Sequence, residues 1–434
     1  MVAARLLHTQ SGASMAWRPG WPPATIPSMP SSTATALAAR ASGDHARAIE
    51  AWRAALADAP DDWRLGLELK QELKAALHYP DSDPAFRRAA RALPDAEWLA
   101  HYTALYAYHM EDLDTLRDRA AQILQSRSTP ALHALLGDVA RQQRDWPAAQ
   151  AAFAEAHRLD PAHPDYSMKR DAAALYQRVA RTLAVRPDDG EPLAIAVINL
   201  DRNSERRAWI ERMFPGVHRL PAVEGSRLSA AAVARLLSRP GDEGGRGTLG
   251  CFLSHAAAWD WARMQGLPHL LVIEDDVIPL LDLPATVGPL GLPPGYGVCF
   301  VNDRLEPRID PADIDAPTVR PLAESMLTFP PEDNAPGGDG YIVSAKGAAM
   351  LLDWVAQDGF TGNMDWRLLA YGLTPAAIAA LPRHAHAWGV LDRLRHGIPR
   401  AERLDAWVLH PALIRTVGVS SDREDEDRGE PVTR

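Results

Sequence analysis

Three consecutive carboxylates, Glu274-Asp275-Asp276, close an apolar run from His269 to Ile273 (HLLVI). An acidic triplet at the end of a buried segment is unfavourable unless water or a cation relieves it. Hard divalent ions, Mg²⁺ or Mn²⁺, match carboxylate and phosphate oxygens better than zinc does. In an extended segment Glu274 and Asp276 lie on one side, which makes the pair the candidate metal set. Taken alone, the triplet reads equally well as a helix cap or a solvated turn. A second polar group ends the run Leu193 to Leu200 (LAIAVINL): Asn199, Asp201, Arg202 and Asn203, then Glu205, Arg206 and Arg207. Arginine offers paired donors to phosphate, so Arg202 and Arg206 are candidate anion contacts. The alternative is a surface ion-pair group with Asp201 and Glu205.

The elements that must position these groups are legible as strand–helix alternation. The runs at 193–200, 269–273 and 298–301 (VCFV) have the continuous apolar, β-branched character of buried strands. Amphipathic helices are expected over Ser204–Met213, Ala230–Leu237, Ser254–Gln265 and Ala345–Ala356. Such alternation predicts an α/β, Rossmann-like sheet with helices on its faces, and ligands in such sheets bind beyond the carboxyl ends of strands. Both polar groups occupy that position.

Before the turn cluster Pro187-Asp188-Asp189-Gly190 the chain has a different character. From about Thr35 to Leu183 it is rich in Ala, Leu, Arg, Glu and Gln, with breaks at proline. Pro60, Pro94 and Pro161 recur at multiples of about 34 residues, Ser128 standing at the missing position. Leu136-Gly137, Ala149, Phe153, Ala156 and Pro161 in the last unit match Ala48, Trp52, Ala55 and Pro60 in the first. Phe86, Ala89 and Pro94 continue the pattern. Small residues let paired helices approach, and proline ends the second one. The region resembles tetratricopeptide repeats, which implies an all-α array that binds, spaces or dimerises. Trp63, Trp98, Tyr102, Tyr106 and Tyr108 fit a peptide groove or ordinary packing between helices. The expected organisation is a disordered segment (1–33), helical repeats (34–186), an α/β domain (191–419) and an acidic disordered tail (420–434).

Composition narrows the class. A net charge of −10 argues against a nucleic-acid surface. Two cysteines, Cys251 and Cys299, form no CxxC pair, which speaks against a disulfide framework or a thiolate zinc site; Cys251 is expected to be buried packing. No apolar run reaches the ~20 residues that span a bilayer, and the N-terminus lacks the core of a secretory signal. Met15 is an alternative start. The expectation is a cytoplasmic protein, with peripheral contact at the inner face of the membrane as an option.

Four motifs in order carry a resemblance: Asn199-Leu200-Asp201-Arg202 with Arg206, Ala222-Val223-Glu224-Gly225, Gly250-Cys251-Phe252-Leu253-Ser254-His255, and Val272-Ile273-Glu274-Asp275-Asp276-Val277. Over about Leu193 to Val419 the chain resembles glycosyltransferase family 25. The resemblance implies a GT-A-like fold, a nucleotide-sugar donor (UDP-galactose or UDP-glucose), a bound Mn²⁺ or Mg²⁺, and inversion at the anomeric carbon. By position, Glu274 and Asp276 would hold the ion, Asp275 would face the donor sugar or ribose, and Asn199, Arg202 and Arg206 would contact the nucleotide. His255 falls in a shared motif, as a donor contact or as hydrogen-bonding support behind the site. An inverting transfer needs a general base. Asp365, in Gly362-Asn363-Met364-Asp365-Trp366, is that candidate or else the N-cap of the next helix. Asp339, in Gly337-Gly338-Asp339-Gly340-Tyr341, is the second choice, its glycines suited to a mobile loop. The acceptor implied is a cell-envelope glycan or a glycoprotein, as in lipopolysaccharide biosynthesis, with the repeats recruiting a protein partner. The competing expectation is an inactive transferase-like scaffold acting through its repeats. No Gly-rich phosphate loop follows Leu200, which disfavours other nucleotide enzymes.

Overall fold

A computed structural model of the protein describes residues 31–59, 113–185, 190–236, 245–302, 314–328, 337–360, 363–381 and 402–416, together with Leu65, Glu68, Leu69, Glu72, 390–392 and 394. The expectations for the second repeat, the aromatic groove residues and the acidic tail fall outside these residues.

The N-terminal part is helical where it is described. Helices α1 (Ser31–Ala41) and α2 (His45–Asp58) pack through Ala36, Ala39, Ala48 and Trp52. Helix α1 starts within the segment expected to be disordered, because its alanines find a buried partner face on α2. After α3 (Leu113–Leu124), α4 (Pro130–Gln142) and α5 (Trp146–Leu159) form the last pair. Phe153 of α5 lies against Gly137 of α4, where an added Cβ would stand 2.7 Å from the ring. The turns before α2 and α5 are built alike. Gly43 (φ 76) and Arg144 (φ 59) are left-handed, and the next residue, Asp44 or Asp145, caps the helix by accepting an N–H three residues on. This recurrence is compatible with a repeating helical unit.

The C-terminal part is a mixed sheet with flanking helices. Its strands are β1 (Leu193–Asn199), β2 (His218–Pro221), β3 (His269–Glu274), β5 (Val298–Phe300), β6 (Thr318–Pro321), β7 (Gly340–Ser344) and β8 (Ala406–His410), in the order β2-β1-β3-β7-β5-β8-β6. A small ladder pairs β4 (Val277–Pro279) with β9 (Ile414–Thr416). Pairing is parallel for β1 with β2 and β3, and antiparallel on both sides of β7. Strand β7 begins in what reads as a glycine-rich loop. It is a fully buried strand, and Gly340 makes room for the Ile414 side chain, whose Cδ1 would stand 1.9 Å from an added Cβ.

Helices α7 (Ser204–Met213) and α8 (Ala230–Leu236) fall where they are expected, as do α9 (Arg246–Gln265) and α11 (Ala345–Asp358) in part; α10 (Leu322–Thr328), α12 (Met364–Gly372) and α13 (Pro375–Ala380) complete the set. Helix α9 starts eight residues before the expected Ser254. Gly250 within it marks a close approach to the Val223 carbonyl and Gly225 rather than a break, and Gly250 to His255 is wholly helical.

The two parts share one core. Trp146, Phe153, Tyr176 and Val179, from α5 and the long α6 (Pro164–Val185), belong to the same buried cluster as Leu193, Val197, Leu271 and Ile273 of the sheet. Ion pairs of Arg144 with Asp282 and Arg178 with Asp315 border that junction.

Candidate functional site

Parallel pairing of β1 and β3 sets Ile198 beside Glu274, so the carboxyl ends of both strands emerge together. Antiparallel pairing of β7 brings its start to the same edge, and the Glu274 N–H donates to the Asp339 carbonyl at 3.2 Å. Asn302, just past β5, and Thr416 of β9 complete the rim. All four acids, Glu274, Asp275, Asp276 and Asp339, are therefore gathered at one end of the sheet by topology.

Asp275 turns inward. Its carboxylate accepts from buried Asn199 (Nδ2, 2.7 Å) and from Arg206 (Nη1, 3.3 Å). Asn199 is held in turn by Arg219, which donates to its Oδ1 at 2.9 Å and its carbonyl at 3.1 Å. Arg202 instead pairs with Glu224 at 2.7 Å. The structure thus brings Asn199, Arg206 and Asp275 together as a latch between the strand ends and leaves Arg202 outside it.

Asp276 is different. Its Oδ1 is sealed from solvent and has no hydrogen-bond partner among the described residues. Burial pushes its carboxyl well above the usual carboxylate range, Glu274, Asp275 and Asp339 add to the shift, and Arg206 opposes it. A sealed carboxylate oxygen among three other acids is the arrangement a cation relieves. These residues fit the divalent ion that the motif implies.

On the other side of Glu274 lies a buried relay. His255, with no exposed surface, places Nε2 3.3 Å from Glu274 Oε1 and Nδ1 3.0 Å from the Tyr341 hydroxyl. Trp259 Nε1 donates to that hydroxyl at 2.8 Å. With Glu274 ionised, the matching tautomer has Nε2–H donating to that carboxylate and Nδ1 accepting from Tyr341. Cys251, one helical turn before His255, brings its Sγ to 4.0 Å from the same Glu274 oxygen.

Asp339 is buried at 3% exposure, its Oδ1 accepting from Asn302 Nδ2 at 3.1 Å and its Oδ2 from Thr416. Of the glycines around it, Gly338 and Gly340 stand at close approaches to neighbouring side chains. A Cβ on Gly338 would meet Met364 at 2.0 Å, Asp365 at 2.8 Å and His255 at 3.2 Å. Asp365, partly exposed in the first turn of α12, accepts from the Gly338 N–H. The N-cap of α12 is Asn363, whose Oδ1 accepts from the Asp365 N–H at 3.0 Å, so capping does not account for Asp365.

Sequence reasoning assigned Cys251 to buried packing, whereas it is only partly buried, and passed over Asn302, Tyr341 and Thr416. Only Cys251 and His255 carried a usable signal, a spacing of four within a helix.

Gly225 fixes α9 against the strand ends: a Cβ there would lie 1.9 Å from the Arg246 carbonyl oxygen. Gly225→Ala is expected to destabilise the protein by about 1–3 kcal/mol and to shift Cys251 and His255 away from Glu274. Urea denaturation checks the first effect, and wild-type stability would overturn it.

Residues 193–282 match the model of glycosyltransferase family 25 (LPS biosynthesis protein), as the motifs imply. The chain is 28% identical to a Glycosyltransferase 25 family member of Drosophila melanogaster, over 36% of this chain and 27% of that protein. Another from Drosophila pseudoobscura pseudoobscura is 29% identical, over 36% and 26%. A third, from Anopheles gambiae, is 34% identical over 24% and 20%. The chain thus spans about a quarter of the length of the first two relatives. The family-model match ends at residue 282, before Asp339 and Asp365.

Proposed function

We propose that this protein is an inverting glycosyltransferase of GT-A type, moving a hexose, galactose first among candidates, from a UDP-sugar to a cell-envelope glycan or glycoprotein. One observation carries the reading. Within the segment similar to family 25, the unpartnered oxygen of Asp276 sits beside Glu274 where two parallel strands end.

Glu274 and Asp276 are the residues that would hold a divalent ion, Mn²⁺ or Mg²⁺. When bound it supplies positive charge against the leaving nucleoside diphosphate. The protein's own groups do the rest. Asn199 and Arg206 keep Asp275 oriented, and Arg206 also lowers the cost of ionising Asp276. The acceptor hydroxyl attacks the anomeric carbon as the bond to the diphosphate oxygen breaks, and Asp365 takes the hydroxyl proton. Asp365 suits that role better than Asp339. Asp339 has both oxygens engaged and is buried, which makes it a positioning group. The helical repeats, sharing a core with the sheet, would present acceptor or partner to a fixed site. An inactive scaffold has no use for a sealed, unrelieved carboxylate.

The test is calorimetric binding and hydrolysis of UDP-galactose, UDP-glucose and other nucleotide sugars by the full chain, with Mn²⁺ or with EDTA. One UDP-sugar is expected to bind and turn over slowly only with the ion. A folded protein that binds no nucleotide sugar would sink the reading.

A further inference from the structure

The donor atoms of Cys251, His255 and Glu274 lie within 4.8 Å of one another. We propose that these three side chains form a site for a borderline divalent ion of the zinc class, distinct in chemistry from the hard-ion pair Glu274/Asp276 and sharing Glu274 with it.

The argument starts from helix geometry. Cys251 and His255 are four residues apart on α9, so both side chains point from one face toward the end of β3. Zinc bonds of about 2.3 Å to sulfur and 2.0–2.2 Å to nitrogen and oxygen put tetrahedral donors about 3.3–3.7 Å apart. His255 Nε2 and Glu274 Oε1 are already 3.3 Å apart, and Cys251 Sγ and the same oxygen 4.0 Å. A contraction of a few tenths of an ångström at sulfur closes that edge. A set of one sulfur, one imidazole nitrogen and one carboxylate oxygen selects zinc or cobalt over magnesium.

The surroundings of His255 provide a second, independent observation. A metal-bound histidine characteristically donates its remaining ring N–H to a fixed partner. His255 Nδ1 faces the Tyr341 hydroxyl at 3.0 Å, and Trp259 anchors that hydroxyl from behind at 2.8 Å. On binding, the Cys251 thiol releases its proton to solvent and the imidazole proton moves from Nε2 to Nδ1. Nε2 then presents its lone pair to the ion, and Nδ1–H donates to Tyr341. Three protein ligands leave a fourth position open, as in zinc sites that take water or substrate. Because Glu274 serves both sets, an ion held by Cys251 and His255 draws that carboxylate away from Asp276. Zinc is thus expected to compete with the hard ion.

Cobalt(II) titration of the full chain without nucleotide tests the site. One equivalent should give a thiolate-to-cobalt charge-transfer absorption that is lost in Cys251→Ser and retained in Asp276→Asn. Cobalt bound at saturation without that absorption, or with absorption surviving in Cys251→Ser, overturns the proposal. Should Cys251→Ser fail to fold, alkylation of the wild type decides. Cys299 is fully buried with its thiol pushed up, leaving Cys251 as the reactive thiol. Equimolar Zn²⁺ should slow labelling of Cys251 by about tenfold or more, whereas an unchanged rate counts against the site. A cobalt signal with no nucleotide-sugar binding would sink the transferase reading and leave this one standing.

Discussion

Asp276→Asn is expected to abolish metal-dependent transfer while raising the stability of the metal-free protein. Loss of one group that fixes charge stabilisation at a reacting phosphate costs about 10²–10³ in turnover. The stability gain follows from linkage. The Asp276 carboxyl titrates well above its ordinary range because burial and the neighbouring acids disfavour the anion. Below the ordinary carboxylate range it is protonated in both folded and unfolded chains and costs nothing. As pH rises through that range, the unfolded chain loses the proton first. The folded state then binds more protons than the unfolded one, and stability falls until the folded group also ionises. At neutral pH the wild type therefore carries a penalty that the neutral amide lacks. In EDTA the variant should melt above wild type at pH 7, and the gap should close as pH falls toward about 4. Excess Mn²⁺ should reverse the order by stabilising the wild type alone. A variant that is less stable in EDTA and retains metal-dependent turnover would show that Asp276 is an ordinary structural acid.

Phe153→Ala is expected to destabilise the whole chain by about 3–5 kcal/mol. Phe153 has no exposed surface, sits against Gly137 of α4, and has the Lys169 ammonium 5.5 Å from its ring centroid. It also belongs to the cluster that runs through Trp146 and Tyr176 into β1 and β3. A cavity there loosens the junction as well as the last helix pair. Guanidinium unfolding followed by far-ultraviolet dichroism and tryptophan fluorescence should show coincident curves, shifted together. If the helical signal melts early and the sheet core keeps its wild-type midpoint, the helices and the sheet are separate folding units.

Short-range pattern determined much of this protein. Continuous β-branched runs placed β1 and β3, and 3.6-residue periodicity placed α7. Polar groups at the ends of apolar runs located Asn199 and the acidic triplet, because a buried strand must deliver its first charged residues to an edge. The four ordered motifs identified the family that residues 193–282 match. Glycine was read poorly, because a residue without a Cβ permits both a turn and a close approach, and only the neighbours distinguish them. Gly250 and Gly340 proved to be close approaches, inside a helix and at the start of a strand.

Tertiary structure alone decided which side chains meet. Antiparallel β7 between β3 and β5 carries Asp339 to Glu274, and no local pattern specifies a strand's neighbours. Strand order is set by the free energy of packing the whole sheet, which sums contacts between residues far apart in sequence. The same holds for His255, Tyr341 and Trp259, joined across more than eighty residues by hydrogen bonds that form only once burial excludes water as a competitor. The amino-acid sequence determined the kinds of groups this protein has and the strand ends that bear them; the assembled sheet decided that one carboxylate, Glu274, faces Asp276 on one side and Cys251 and His255 on the other.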